Sequence, residues 1–145
     1  MATPVLQKSQ IRAEGTATTK LEAMREAAEI LVEAGAVTAD YLPAMLEREK
    51  TVSTYMGNFL AIPHGTNEAK GSILASALSF VRYSTAIDWD GNPVHFVVGI
   101  AGIGNEHLDI LSKIAIVFSD EDEVAELQKA PGVDEIFAKL EEVNE

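Results

Sequence analysis

A chain of 145 residues, 47 % of them hydrophobic, is long enough for one compact domain with a full core and too apolar to be disordered. Its 23 acidic residues against 11 basic ones leave a formal net charge of −12, which argues against nucleic acid and anionic membranes as partners and favours partners with a basic face. The absence of cysteine excludes a disulfide framework, a thiol nucleophile and a thiolate metal site. The N-terminal MATPVLQKSQ lacks an apolar core behind a basic start, and no apolar run approaches membrane-spanning length, so a soluble cytoplasmic protein without membrane insertion is expected.

No repeat, low-complexity tract or linker divides the chain, and residues 1–145 are expected to form one domain. The first element is an amphipathic helix from about Thr19 to Ala34, with Leu21, Met24, Ala28, Leu31 and Val32 at helical spacing and Gly35 as its stop. A second helix is expected from about Ala39 to Lys50, with Thr38 as N-cap and Tyr41, Leu42, Met45 and Leu46 on its buried face. VSTYMGNFLAIPHG then crosses a loop into a short strand around Phe59 to Ile62. Strands are expected over Ile73 to Arg82 and over Val94 to Ala101, the latter buried on both faces, with Asp-Gly and Asn-Pro turn signals between them. GIAGIGNEHL leads into a helix from about Glu106 to Phe118, whose apolar set is Leu108, Leu111, Ile114, Ala115 and Phe118. Two acidic helices, near Glu121 to Lys129 and Val133 to Val143, are divided by Pro131-Gly132. Helices alternating with strands indicate a layered α/β domain.

The stretch LAIPHGTNEAK raises the question of function, because it places an imidazole where a strand must stop. Pro63 fixes its own φ and donates no backbone hydrogen bond, while Gly65 frees the next step. His64 is thus held on a backbone stiff on one side and permissive on the other, which suits presentation of a side chain and equally suits an idle turn histidine. His95, between Val94 and Phe96 inside a strand, reads as structural. His107 falls in the first turn of a helix with Asn105 as N-cap, where free N–H groups and the dipole favour an anion and disfavour imidazolium. A neutral His107 there can donate to a bound oxyanion, with the glycines at 99, 102 and 104 letting backbone come close, or it is an ordinary histidine beside a cap. Arg48, near the end of the second helix, is either a solvated partner of the helix dipole, flanked by surface charges at Glu47 and Glu49, or a fork for a phosphoryl group.

Metal binding is poorly supported by three scattered histidines without an HExxH pattern, and a serine hydrolase by the lack of a GxSxG elbow. The remaining parts fit the handling of an anion, with a covalent phosphohistidine as one route.

Glu49, Met56-Gly57 and Leu60-Ala61-Ile62-Pro63-His64-Gly65 together resemble the signature of the phosphotransferase-system EIIA domains of the mannitol–fructose class. The wider GNFLAIPHGTNEAK run and VVGIAGIGNEHLDIL are most similar to the stand-alone mannitol-specific members, and the likeness covers nearly the whole chain. The resemblance implies a mixed, mostly parallel sheet flanked by helices. It implies that His64 accepts a phosphoryl group from phospho-HPr through Nε2 and passes it to a cysteine of the cognate EIIB domain, with His107 and Arg48 as the other active-site residues. No metal or organic cofactor is required. Phe59 departs from many relatives, which carry a small residue there, and altered packing without loss of chemistry is expected. The segment between Arg82 and Val94 is also shorter than in some mannitol relatives. Met56 and Phe59 are candidates for a docking patch, or for the core. Competing readings are a regulatory nitrogen-type EIIA that signals through phosphorylation-dependent binding, a fold-relative that binds an anion without turnover, and a histidine-dependent hydrolase.

Overall fold

The structure is a computed structural model that describes residues 5–51, 53–65, 71–104 and 106–141. Its centre is a five-stranded mixed sheet in the order β1-β4-β5-β3-β2. The strands are β1 (Ile11–Arg12), β2 (Tyr55–Gly57), β3 (Leu60–Ala61), β4 (Ala77–Trp89) and β5 (Asn92–Ala101). β1 pairs with β4 and β3 with β5 in parallel, while β2–β3 and β4–β5 are antiparallel. The helices are α1 (Lys20–Glu33), α2 (Tyr41–Thr51), α3 (Glu106–Phe118), α4 (Glu121–Lys129) and α5 (Val133–Leu140). A single 3₁₀ turn at Lys8–Gln10 leads into β1.

Both faces of the sheet are covered, which explains the unbroken apolar run of β5. Val97 and Ala101 pack with Ala23, Ala27 and Leu31 of α1 and with Tyr41 and Met45 of α2. Phe96, Val98 and Ile100 face the other way, onto Ile110, Ile114 and Phe118 of α3, with Leu127 of α4 and Ile136 of α5. Phe96 meets the Phe118 ring edge-on at 5.3 Å and Phe80 at 5.7 Å, contacts worth about 0.5–1.5 kcal/mol each beyond simple burial. They hold α3, and with it His107, against the sheet.

The helices lie where their spacing predicts, but two of the predicted faces differ at their margins. Thr19 caps α1 through its side chain on the Glu22 N–H, and Gly35 follows the helix at φ 75°. Met24, Ala28 and Leu31 are buried as expected, but Leu21 and Val32 at the margins are 49 % and 41 % exposed, and Ala23, Ala27 and Ile30 join the core in their place. In α3, Ile114 and Phe118 are buried as expected, while Ile110 is buried and Leu108 is left exposed. α2 begins at Tyr41, two residues later than predicted, and Thr38 contributes its carbonyl to the Tyr41 N–H. Asn105, the expected cap of α3, and Val143, the expected end of α5, lie outside the described residues.

The strands depart further from expectation. β4 starts at Ala77, because Leu74 and Ala75 both donate to the Ala36 carbonyl and tie the preceding segment to the end of α1. It then continues to Trp89, through residues read as a loop. Only Asp90-Gly91 turns the chain, at φ 55° and 94°, a two-residue hairpin turn that leaves Asn92 and Pro93 inside β5. β2 was read as loop, and β3 is shorter than predicted, with Phe59 in the β2–β3 turn. Asn58 and Phe59 adopt φ 49° and 67°, so Phe59 sits in a conformation that favours glycine. This explains in backbone terms why a small residue suits that position. The Phe59 ring is steadied by an edge contact with His95 at 5.3 Å.

Candidate functional site

The site forms where β3 ends beside the middle of the sheet. Beyond Ala61 the chain keeps a parallel course along β5: the Ile100 N–H donates to the Pro63 carbonyl at 3.1 Å, and His64 makes a single bridge with Ile100. The Ile62 N–H donates to the Thr54 carbonyl at 3.1 Å, so the residues before His64 are anchored on two sides. Gly65 is anchored by Tyr41, whose hydroxyl accepts its N–H at 2.9 Å and donates to the Ile100 carbonyl at 2.6 Å. A Cβ on Gly65 would lie 2.6 Å from the Tyr41 ring, so glycine is required by close approach to that ring. Chain direction on both sides of His64 is therefore imposed by named contacts.

The His64 ring is half-buried, and its Nδ1 lies 2.9 Å from the carbonyl oxygen of Ile62. A carbonyl only accepts, so Nδ1 carries the proton and the neutral ring keeps a lone pair on Nε2. Burial lowers the pKa of this imidazole below the ordinary histidine value. The bond to Ile62 opposes that shift, the charges of Arg48 and His107 add to it, and the charge of Glu49 opposes it. The neutral nucleophilic form is favoured near pH 7. Arg48 and His107 thus lie within electrostatic reach of the His64 ring.

His107 follows Glu106 at the start of α3, where its Nδ1 lies 3.2 Å from the Gly104 carbonyl. Its proton therefore also sits on Nδ1, and its Nε2 donates only when the ring is doubly protonated. Gly102 makes the fold-back possible, since a Cβ there would come within 2.4 Å of the His107 backbone nitrogen. Gly99, expected beside an anion, packs instead against Ser79 and Ala27, so it serves the contact between sheet and α1. The loop ahead of α3 is fixed by the Ile103 N–H, which donates to Ser76 Oγ at 3.0 Å.

Arg48 is half-buried near the end of α2, and the next residue, Glu49, is only 8 % exposed, which overturns its reading as a surface charge. The Glu49 carboxylate accepts from the Thr54 N–H and hydroxyl and from Trp89 Nε1 at 3.2 Å, and pairs with Lys20 Nζ at 3.1 Å. Burial alone would raise its pKa, but these donors outweigh burial and hold it below the ordinary carboxylate value. His95 lies apart from this group, its Nδ1 2.7 Å from the Tyr83 carbonyl where the β4–β5 register breaks, in agreement with a structural role. Met56 and Phe59 are exposed at the β2–β3 hairpin and do not join the core. Tyr41 and Glu49 are the residues whose contacts the sequence reading missed. One signal was available: the stripe Tyr41, Met45 continues by four onto Glu49, which puts that carboxylate on the buried face of α2.

Among the described residues, no group of three or more His, Cys, Asp or Glu is placed to hold a metal ion, and no helix is long and apolar enough to cross a membrane. The assembled parts are an unprotonated imidazole nitrogen, the Arg48 guanidinium and the His107 ring, at an anchored strand end. Chemically, that set suits capture of an electrophile carrying anionic oxygens.

Residues 4–143 match the family described as phosphoenolpyruvate-dependent sugar phosphotransferase system, EIIA 2. Over 145 residues, the full length of both chains, the protein is 48 % identical to the mannitol-specific phosphotransferase enzyme IIA component of Halalkalibacterium halodurans. Its fold is similar to that in the complex of enzyme IIA mannitol and phosphorylated enzyme IIB mannitol from Escherichia coli, with TM-score 0.87 and 35 % identity over 93 % of this chain and 96 % of that one. Nitrogen regulatory protein IIA-Ntr from Neisseria meningitidis is also similar, with TM-score 0.82 and 28 % identity over 94 % of this chain and 96 % of that one. The chain belongs to the EIIA type 2 family, the phosphotransferase components of the phosphoenolpyruvate-dependent sugar system.

Proposed function

We propose that this protein is a cytoplasmic phosphocarrier of mannitol uptake, in which His64 accepts a phosphoryl group from phospho-HPr and delivers it to a cysteine of the cognate EIIB. The observation that carries this reading is the contact of His64 Nδ1 with the Ile62 carbonyl, which leaves Nε2 as the nucleophile. In the first step the Nε2 lone pair attacks phosphorus in line, a new N–P bond forms and the N–P bond to the donor histidine breaks. The phosphorylated ring keeps its Nδ1 proton and is formally cationic, with the Ile62 carbonyl accepting from it. That charge keeps the group labile, and in the second step a cysteine thiolate takes the phosphoryl and returns the electron pair to Nε2. Phosphoryl transfer passes through a loose transition state, so the protein's part is alignment and charge stabilisation. Arg48 binds equatorial oxygens with its fork, and His107, drawn into its imidazolium form by the arriving dianion against the helix dipole, donates to them from Nε2. The added charge of about −1.5 to −2 arrives on an already acidic protein, which makes those two cations necessary.

The test is reconstitution with phosphoenolpyruvate, Enzyme I, HPr and a mannitol EIIB. Phosphoryl should appear on the EIIB cysteine only when this protein is present. Uptake from HPr without delivery to any sugar-specific EIIB would instead support the regulatory nitrogen-type role.

A further inference from the structure

Three backbone hydrogen bonds, linked through Thr54 and Ile62, connect Glu49 with the His64 ring. Glu49 Oε2 accepts from the Thr54 N–H at 3.0 Å, and Oε1 accepts from the Thr54 hydroxyl at 2.5 Å. The carbonyl of Thr54 accepts from the Ile62 N–H at 3.1 Å, and the carbonyl of Ile62 accepts from His64 Nδ1 at 2.9 Å. The N–H and C=O of Thr54, and likewise of Ile62, belong to successive peptide groups joined through Cα, so the link is one of position: Glu49 fixes the Thr54 backbone, Thr54 fixes Ile62, and Ile62 aims its carbonyl at the ring. Four separate segments converge on the carboxylate. Glu49 comes from α2, Lys20 from the first residue of α1, Thr54 from the segment before β2, and Trp89 from the last residue of β4. Lys20 is itself held by Asp90 at 2.7 Å and lies 5.2 Å from the Trp89 ring centre. A carboxylate that only anchored the hairpin would not need to lie in series with the ring of the acceptor.

We propose that Glu49 is a positioning residue for phosphoryl transfer, which acts through the Thr54 and Ile62 peptides to hold the His64 imidazole in its Nδ1-protonated tautomer and in its orientation. The proposal rests on the reading of His64 as phosphoryl acceptor. During transfer the ring becomes cationic, and the Ile62 carbonyl, held in place by the anchored Thr54 backbone, stabilises that state. Three charged groups act on the ring: Arg48 and His107 oppose its protonation and Glu49 favours it. Removal of the Glu49 charge leaves the two cations without a counterweight.

The experiment is nitrogen-resolved NMR of the His64 ring across pH in wild type, Glu49→Gln, Thr54→Ala and Thr54→Ser, with phospho-HPr uptake measured on the same samples. The amide spectrum of each variant reports whether it is folded. Glu49→Gln should lower the His64 titration midpoint, shift the neutral ring toward the Nε2-protonated form, and slow uptake on the order of tenfold. Thr54→Ala should move both ring readouts in the same direction by less, and Thr54→Ser, which keeps both donors, should restore them. Unchanged ring tautomer and midpoint in a folded Glu49→Gln would overturn the proposal. Should Glu49→Gln fail to fold, an unchanged ring in Thr54→Ala would do the same. The ring readouts need no phosphoryl donor, so an absence of uptake in wild type would count against the carrier reading and not against this one.

Discussion

At the scale of single residues, His64 is presented by contacts that differ in kind. The tautomer is selected by one carbonyl and the following peptide is pinned by one phenol, while the proposed function leaves the oxygens of the incoming group to Arg48 and His107. These roles separate by mutation. On the proposed function, His107→Ala and Arg48→Ala each remove one group that acts on transition-state charge, and each should slow phosphoryl uptake roughly a hundredfold while the thermal midpoint stays near wild type. Wild-type rates in stopped-flow transfer from phospho-HPr would remove either residue from the mechanism. Tyr41 acts differently, because its hydroxyl bridges Gly65 and Ile100. Tyr41→Phe leaves a Gly65 N–H and an Ile100 carbonyl short of a partner and should cost about 1–2 kcal/mol in urea denaturation. Uptake should slow more modestly than in His107→Ala or Arg48→Ala, because Tyr41 is not among the groups proposed to meet the phosphoryl oxygens.

At the scale of elements, the helices were the most legible part of the sequence and the strand ends the least. α3 and α4 span the residues that periodicity assigns to them, since Gly and Pro punctuation and a capping Asp120 mark their limits locally. β4 was misjudged at both ends because its start depends on the Ala36 carbonyl far away in the chain, and its end on positive φ at Asp90 and Gly91. The position of His64 at the end of a strand was legible from Pro63 and Gly65, and His107 from its place in a first helical turn. The burial of Glu49 was obscured by its charge, although it lies in register with Tyr41 and Met45. Arg82 was read only as the end of a strand, yet it ties elements together. Its Nε donates to the Ala13 carbonyl at 3.0 Å, and Nη1 donates to Leu127 at 2.8 Å and Ala130 at 2.6 Å, satisfying carbonyls at the end of α4. Arg82→Met keeps much of the stem and removes those donors. It should cost about 2 kcal/mol in chemical denaturation, with local loss of amide protection at the end of α4.

At the scale of the molecule, two buried carboxylates brace the face covered by α1 and α2. Glu49 joins α2 to β2 and the β4–β5 hairpin, and Glu26 of α1 accepts from the Tyr83 hydroxyl at 2.6 Å and Arg12 at 2.9 Å. Burial works against ionisation of Glu26, but Tyr83, Arg12 and the backbone donors of Thr16 and Ala17 outweigh it and hold its pKa below the ordinary carboxylate value near 4.5. A depressed carboxylate pKa means that the unfolded state binds more protons, so the stabilisation is complete above that value and is lost as pH falls. The stability gap between wild type and Glu26→Gln should therefore be widest above about pH 4.5 and should narrow below it, as read from urea midpoints across pH. A gap that widens on acidification would contradict the assignment of charge to Glu26.

The charges that act on His64 are local, so a net charge of −12 over the whole chain is compatible with the proposed arrival of a dianionic group there. The most direct test of that central claim is intact mass after incubation with phosphoenolpyruvate, Enzyme I and HPr, for wild type beside His64→Ala. The account predicts an acid-labile gain of one phosphoryl group in wild type and none in the variant. A gain that survives in His64→Ala, or no gain in wild type, would contradict it.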